Sequence, residues 1–249
     1  MTRTVFALFV DVMGVQQALL STNDRLDAPS GFDRCRERLG DFHRDLSYLI
    51  VNELPLLLNN SPEIPEPDFV AEFSDSAYII GERFASVAIP AIYLMRRALR
   101  HEYPLRGGIG VGTFSHETSG VRADQNRQVW TTSSFLGAAV VTAYHAERSI
   151  TPGLRVLIHP LVMRRNTEAY LNAYTLSLPA SEQNADSTHE LRFWRNAEAD
   201  DAALRLRAFR DQQNLSERAM RHYDAAITAY ERFRATKKDL PHITPAIWL

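Results

Sequence analysis

The chain has 249 residues, of which 45% are hydrophobic and 23% charged, and its formal net charge is −2. This length allows one sizeable α/β domain with an appendage, and the near-neutral charge excludes the strong basic field of a nucleic-acid-binding chain. No stretch of about eighteen apolar residues occurs, so neither a transmembrane helix nor a membrane partner is expected. Cys35 is the sole cysteine, and with no convincing signal peptide it favours a cytoplasmic location.

Hydrophobic spacing and turn residues divide the chain into alternating strands and helices. In chain order we predict a strand over 5–12, a helix over 32–54, strands over 68–73 and 77–80, a helix over 84–101 kinked at Pro90, strands over 105–114 and 128–132, a helix over 137–148, strands over 154–159 and 191–194, and a helix over 199–236. Three prolines exclude regular structure from 59–67. This order predicts an α+β fold in which helices flank a mixed sheet. We expect one domain over 1–197 and a C-terminal helical extension with its tail over 198–249.

Two aspartates stand where predicted strands end. Asp11 closes the first strand, and Asp75 lies in the turn Ser74-Asp75-Ser76 between the next two. Each has an ordinary alternative, since Asp11 could cap the turn at Gly14 and hairpin turns favour aspartate. A carboxylate at the end of a buried strand is costly unless it is paired, hydrogen-bonded or bound to a cation. If the strands are adjacent, the pair could hold two divalent cations that leave positions for phosphate oxygens.

Gly14 directly follows the first strand and begins a turn into the next segment. Free backbone N–H groups at the start of a helix bind phosphate oxygens well. We therefore expect a phosphate site formed by the backbone amides of Val12, Met13, Gly14 and Val15.

The segment LRGGIGVGTF places Arg106 before glycines at alternate strand positions. Such glycines allow close approach of backbone, a ligand or a partner subunit. Arg106 could hold a phosphate or contact a base edge, and its ordinary alternative is a structural ion pair at the start of the strand. The small residues of 137–148 predict a helix that packs tightly on the sheet.

Together these motifs resemble a class III nucleotidyl cyclase domain across residues 4–195. The ordered set is Phe9–Gly14, Phe73–Ser76, Arg106–Ile109 and the series Gly137, Ala143 and Glu147. The resemblance implies cyclisation of a nucleoside triphosphate to the 3′,5′-cyclic monophosphate and pyrophosphate. It also implies that Asp11 and Asp75 bind two Mg²⁺ or Mn²⁺ ions, and that the chain forms a head-to-tail homodimer with composite active sites.

The departures from that family concern the base and the transition state. Purine cyclases carry Lys or Glu where this chain has Ala71, and an Asp, Cys or similar polar residue where it has Ser134. On the last helix they carry Asn and Arg, where this chain has Val141 and His145. The usual purine pocket is therefore missing, because such hydrogen-bonding groups give strong base discrimination.

With these departures, the pattern resembles the pyrimidine cyclases of bacterial anti-phage defence, the Pycsar systems. Those enzymes make cyclic CMP or cyclic UMP, which activates a separate effector. The resemblance implies UTP or CTP as substrate, with UTP preferred. It places substrate contacts at Ala71, Phe73 and Ser134, and it makes Arg106 a candidate reader of a pyrimidine carbonyl.

Three residues of the last helix are candidates to replace the missing transition-state groups, namely Tyr144, His145 and Arg148. For His145 and Arg148, a solvent-facing position is the ordinary alternative. Two other functions stay open: an inert cyclase-like module that binds nucleotide or dimerises, and a purine cyclase with an unusual pocket. The C-terminal helix is expected to pack on its own domain or on a dimer mate.

Overall fold

The structure is a computed structural model. It describes residues 3–15, 29–56, 66–122, 129–149, 153–166, 174–193, 203–208, 210–211 and 217–234. The strands are β1 (Arg3–Val12), β2 (Phe69–Glu72), β3 (Ser76–Gly81), β4 (Leu105–Arg122), β5 (Val129–Leu136), β6 (Val156–Ile158), β7 (Thr175–Ser177) and β8 (His189–Leu191). The helices are α1 (Pro29–Tyr48), α2 (Ala85–His101), α3 (Ala138–Glu147), α4 (Pro160–Arg165) and α5 (Glu217–Arg234). A π-helical turn, Leu49–Glu53, continues α1.

One mixed sheet organises the described chain, in the order β2-β3-β1-β4-β6-β8-β7, with β5 paired to β4 outside this path. Strand β1 lies in the middle and pairs antiparallel with β3 and β4. The pairing of β4 with β6 is parallel. The sequence from β1 to β4 thus forms a split β-α-β arrangement. The C-terminal end of β1 and the N-terminal ends of β3 and β4 lie side by side in the sheet.

The two faces of the sheet are covered differently, because side chains alternate along a strand. The even residues of β1 join the main core with α1 and α2, and this core also contains Tyr223, Ile227 and Tyr230 of α5. The odd residues Val5, Ala7 and Phe9 pack with Ala139 and Ala143 of α3. The C-terminal helix therefore packs on the same core as the central sheet.

The predicted α+β fold with a mixed sheet and flanking helices is confirmed. Several bounds differ: β4 runs to Arg122 instead of ending at 114, and the strand predicted over 191–194 is β8. Neither α4 nor β7 was expected from the sequence. Pro90 lies inside α2. Residues 59–65, and the tail after 234, lie outside the described residues.

No helix among the described residues is long and apolar enough to cross a membrane.

Candidate active site

Strand pairing brings the two predicted metal ligands together. In the β1–β3 ladder Asp11 stands opposite Ser76, the residue after Asp75. The backbone N–H of Val12 donates to the carbonyl oxygen of Asp75 at 2.7 Å, and the Ser74 hydroxyl donates to the Asp75 carboxylate at 3.3 Å. Asp11 and Asp75 therefore lie beside each other, at the neighbouring ends of β1 and β3.

The electrostatics of Asp11 favour a bound cation. Burial raises the pKa of Asp11, and the negative charge of Asp75 raises it further, while the nearby guanidinium groups of Arg106 and Arg148 lower it. A carboxylate held near a second carboxylate gains when a cation neutralises both. A cation close to both carboxylates would therefore relieve the repulsion between Asp11 and Asp75.

A small carboxylate pair fits the chemistry of magnesium. Among the described residues, no group of three or more His, Cys, Asp or Glu side chains could form a metal cage. Mg²⁺ is commonly held by one or two carboxylates, with water and substrate phosphates completing its coordination. Asp11 and Asp75 are therefore chemically suited to such an ion.

Arg106 forms the structural ion pairs that were its ordinary alternative. Its Nη2 lies 3.5 Å from a carboxylate oxygen of Asp11, and its Nε faces the carboxylate of Glu147. The β1–β4 register explains this, because Arg106 stands directly opposite Asp11. The predicted role of Arg106 in reading a base stays a prediction.

Glu147 belongs to the site although sequence reasoning gave it no role. It is almost fully buried, at the end of α3 beside Arg106. The pKa of Glu147 is raised to about 7, mainly by burial and in part by the charge of Asp11, against the lowering effects of Arg106 and Arg148. The sequence does offer one signal for Glu147, an acidic residue at the end of a helix made mostly of small and apolar residues. A charge on such a helix is buried, and a buried charge requires a partner.

The raised pKa of Glu147 predicts a pH-dependent stability. Its ordinary pKa is 4.5, so the folded chain binds this proton more tightly than the unfolded chain. The free energy of unfolding should therefore fall as the pH rises from about 4.5 to about 7, by at most about 3 kcal/mol from this group. Glu147→Gln cannot titrate and should remove this slope. Urea unfolding of both proteins between about pH 5 and pH 8 measures it, and parallel profiles would contradict the assignment.

The predicted phosphate site needs correction at two of its four amides. The N–H of Val12 donates to Asp75, and the N–H of Met13 donates to the carbonyl oxygen of Pro104 at 2.8 Å. These amides connect the end of β1 to the Asp75 turn and to the residue before β4. Gly14, whose φ is +84°, and Val15 remain the candidates for phosphate contact.

The candidates of α3 separate into two groups. The Arg148 guanidinium lies 5.0 Å from the ring centroid of Tyr144, and the Tyr144 ring stands edge-on to Phe9 at 5.6 Å. These residues lie on the Asp11 side of the helix. His145 is mostly exposed and lies 3.9 Å from a carboxylate oxygen of Asp186, so within one chain it is not part of the Asp11 cluster.

The predicted substrate contacts also separate. Phe73 is 44% exposed, and it joins an aromatic surface with Tyr78 and Phe135, each 6.2 Å away between ring centroids. Ala71 packs against the same cluster. Ser134 is exposed, and because strand side chains alternate it points to the opposite face of β5 from Phe135. The structure therefore groups Ala71 with Phe73 but not with Ser134.

Comparison with known proteins gives remote structural similarity only. No protein-family model matches the chain, and no curated protein matches it. The crystal structure of the guanylyl cyclase Cya2 is similar at 15% identity, with a TM-score of 0.36 over 77% of this chain and 90% of that chain. A class III adenylyl cyclase-like ATP-binding protein from Pseudomonas aeruginosa is similar at 12% identity, with a TM-score of 0.43 over 81% of this chain and 40% of that chain. The function of this chain must therefore be argued from its own residues.

Proposed function

We propose that this chain is a metal-dependent nucleotidyl cyclase. The proposal rests mainly on one observation: Asp11 and Asp75 lie beside each other at adjacent strand ends. Asp11 is also buried enough for its pKa to be raised. More particularly, we propose a pyrimidine cyclase that converts UTP or CTP, with UTP preferred, to the 3′,5′-cyclic monophosphate and pyrophosphate. The substitution of Ala71 for the charged residue of purine cyclases supports this choice.

The proposed reaction is an in-line displacement at the α-phosphorus. The ribose 3′-oxygen bonds to phosphorus, its proton passes to solvent, and the bond to the bridging oxygen of the β-phosphate breaks. Two Mg²⁺ or Mn²⁺ ions would lower the pKa of the 3′-hydroxyl and neutralise the triphosphate. Asp11 and Asp75 hold that charge in place, and the amides of Gly14 and Val15 orient the phosphates.

Among the described residues, we assign Arg148 as the cation for the developing charge on the α-phosphate. Its charge lowers the pKa of both Asp11 and Glu147, so its guanidinium lies within electrostatic range of both carboxylates. The contact of its guanidinium with the Tyr144 ring favours a fixed position for this side chain. A positioned cation of this kind contributes about 10²–10³ in turnover, which is the loss we expect for Arg148→Ala.

The substrate class is tested by incubating the purified chain with Mn²⁺ and each of the four ribonucleoside triphosphates separately. We expect a cyclic pyrimidine nucleotide and pyrophosphate, identified by mass spectrometry. A purine product would refute the pyrimidine assignment. No product from any nucleotide would favour the inert nucleotide-binding module instead.

We also propose a homodimer with composite sites, in which Arg148 acts in its own chain and His145 in the partner's site. The separation of these residues on α3 supports this division. Mixing Asp75→Ala with His145→Ala chains should restore part of the activity, because one site of the mixed dimer keeps every group. Mixing Asp75→Ala with Arg148→Ala chains should restore none, because one site of the mixed dimer lacks Asp75 and the other lacks Arg148. Full activity of His145→Ala alone would remove His145 from the site.

The wider role is also part of the proposal. A cyclic pyrimidine nucleotide would serve as a second messenger for a separate effector in anti-phage defence, as the resemblance to Pycsar cyclases implies. The residues that support this role are those that support the pyrimidine substrate.

A further inference from the structure

The site already contains a cation of its own. Arg106 reaches Asp11 with one end of its guanidinium, at 3.5 Å, and Glu147 with the other. Arg106 is about three-quarters buried, and the carboxylate of Glu147 is 1% exposed. This arrangement is fixed by the fold, since Arg106 lies opposite Asp11 in the strand ladder and Glu147 ends the helix above it.

A guanidinium beside Asp11 opposes a divalent ion there, because like charges a few ångströms apart repel strongly where water is partly excluded. Glu147 counters this effect in two ways. It draws the charge of Arg106 away from Asp11, and it adds a negative charge to the neighbourhood. Glu147 therefore influences the charge balance at Asp11 through Arg106, although its own carboxylate faces Arg106 and not the turn that carries Asp75.

We propose that Arg106 is the internal counter-ion of Asp11, and that Glu147 is a positioning residue that holds Arg106 so that a divalent cation can share Asp11. The inference deepens the proposed function and rests on the metal site formed by Asp11 and Asp75. It assigns opposite effects to the two members of one ion pair. Arg106 lowers the affinity for metal, and Glu147 raises it.

The test is direct binding of Mn²⁺ alone to the full chain, measured by electron paramagnetic resonance at a pH above the pKa of Glu147. Arg106→Gln should tighten Mn²⁺ binding and Glu147→Gln should weaken it, each by about tenfold, the effect of one charge at this range and partial burial. The double variant should return close to the affinity of the unaltered chain. A purely structural role for the pair would instead weaken binding in both single variants.

Arg3→Gln is the matched control. Arg3 pairs with Asp68 at 3.2 Å and with Glu82 at the other end of β1, so its loss should leave Mn²⁺ affinity unchanged. Glu147→Asp keeps the charge and should keep most of the affinity. If Arg106→Gln does not fold, equal affinities for Glu147→Gln and Glu147→Asp would overturn the inference.

The outcomes separate the inference from the proposed function. Mn²⁺ binding that Asp75→Ala abolishes, with both single variants weakened or both unchanged, would overturn the counter-ion role and leave the metal site standing. Mn²⁺ binding that is absent from the unaltered chain, or unaffected by Asp75→Ala, would overturn the metal site and the inference together.

Discussion

Asp75→Ala should lower the formation of cyclic pyrimidine nucleotide by at least about a thousandfold, while the chain remains folded. The loss follows from the role of the carboxylate, since holding a catalytic cation contributes several kcal/mol to the transition state and each 1.36 kcal/mol is about tenfold in rate. Asp75 lies in a turn and is only partly buried, so its truncation leaves no large cavity. Turnover is followed as pyrophosphate release with Mn²⁺, and folding by thermal melting.

Asp68→Ala is the control for this change. Asp68 lies just before β2 and pairs with Arg3. It is therefore an acidic residue of the same hairpin region that lies away from Asp11 and Asp75. Its loss should leave turnover nearly unchanged, because Asp68 does not contact Asp11 or the Asp75 turn, and it should change the free energy of unfolding by only roughly 0–1 kcal/mol. An active Asp75→Ala protein would refute the metal assignment.

The same variant has an electrostatic consequence at Asp11. The charge of Asp75 is one of the causes that raise the pKa of Asp11, so Asp75→Ala should lower that pKa. Carboxyl titration by nuclear magnetic resonance measures the shift in the metal-free protein. An unchanged Asp11 titration would show that the two carboxylates do not interact.

Asp11 and Asp75 could be predicted from the sequence because the residues around each of them form a recognisable local pattern. A buried strand that ends in a carboxylate, and a short polar turn between two strands, can each be recognised within ten residues. Their meeting depends on the β1–β3 pairing, which the element order favours. The site's two aspartates were therefore predictable as candidates, and the fold joins them.

Glu147 and the amide contacts were not predictable in the same way. The partner of Glu147 is 41 positions away in sequence, on the opposite side of the contact between α3 and β4. Only the crossing of this helix over the strand reveals that the two meet. Likewise, nothing local indicates that Pro104 accepts a hydrogen bond from Met13, which removes that amide from the phosphate site.

The length of β4 shows where the hydrophobic pattern fails as a guide. Residues 115–122 read SHETSGVR, which lacks the apolar alternation of a half-buried strand. This part of β4 pairs with β5 rather than with the main sheet. Its backbone is therefore satisfied by a hairpin partner, and no buried face is needed to make it a strand.

Gly110→Ala should lower the free energy of unfolding by about 3 kcal/mol, at the upper end of the usual cost of overpacking a core. A Cβ at Gly110 would overlap the backbone of α3 at Ala143 and Ala139, and also the Thr142 hydroxyl. That hydroxyl accepts the N–H of Val111 at 3.1 Å and donates to the Ala138 carbonyl at 2.9 Å. Backbone atoms cannot turn aside, so the helix itself must move.

Gly40→Ala provides the matched control because it makes the same chemical change in open space. Gly40 lies in α1, is exposed, and has no atom within 4 Å of its ideal Cβ position. Alanine there should raise stability by about 0.5–1 kcal/mol, the ordinary helix preference over glycine. Urea unfolding of the two variants beside the parent should therefore give shifts of opposite sign. If Gly110→Ala were as stable as the parent, the close packing of α3 on β4 would be refuted.

Because α3 carries Tyr144, Glu147 and Arg148, displacing it should also separate these residues from Asp11. Gly110→Ala should therefore lower turnover in whatever fraction of the chain still folds, whereas Gly40→Ala should leave it intact.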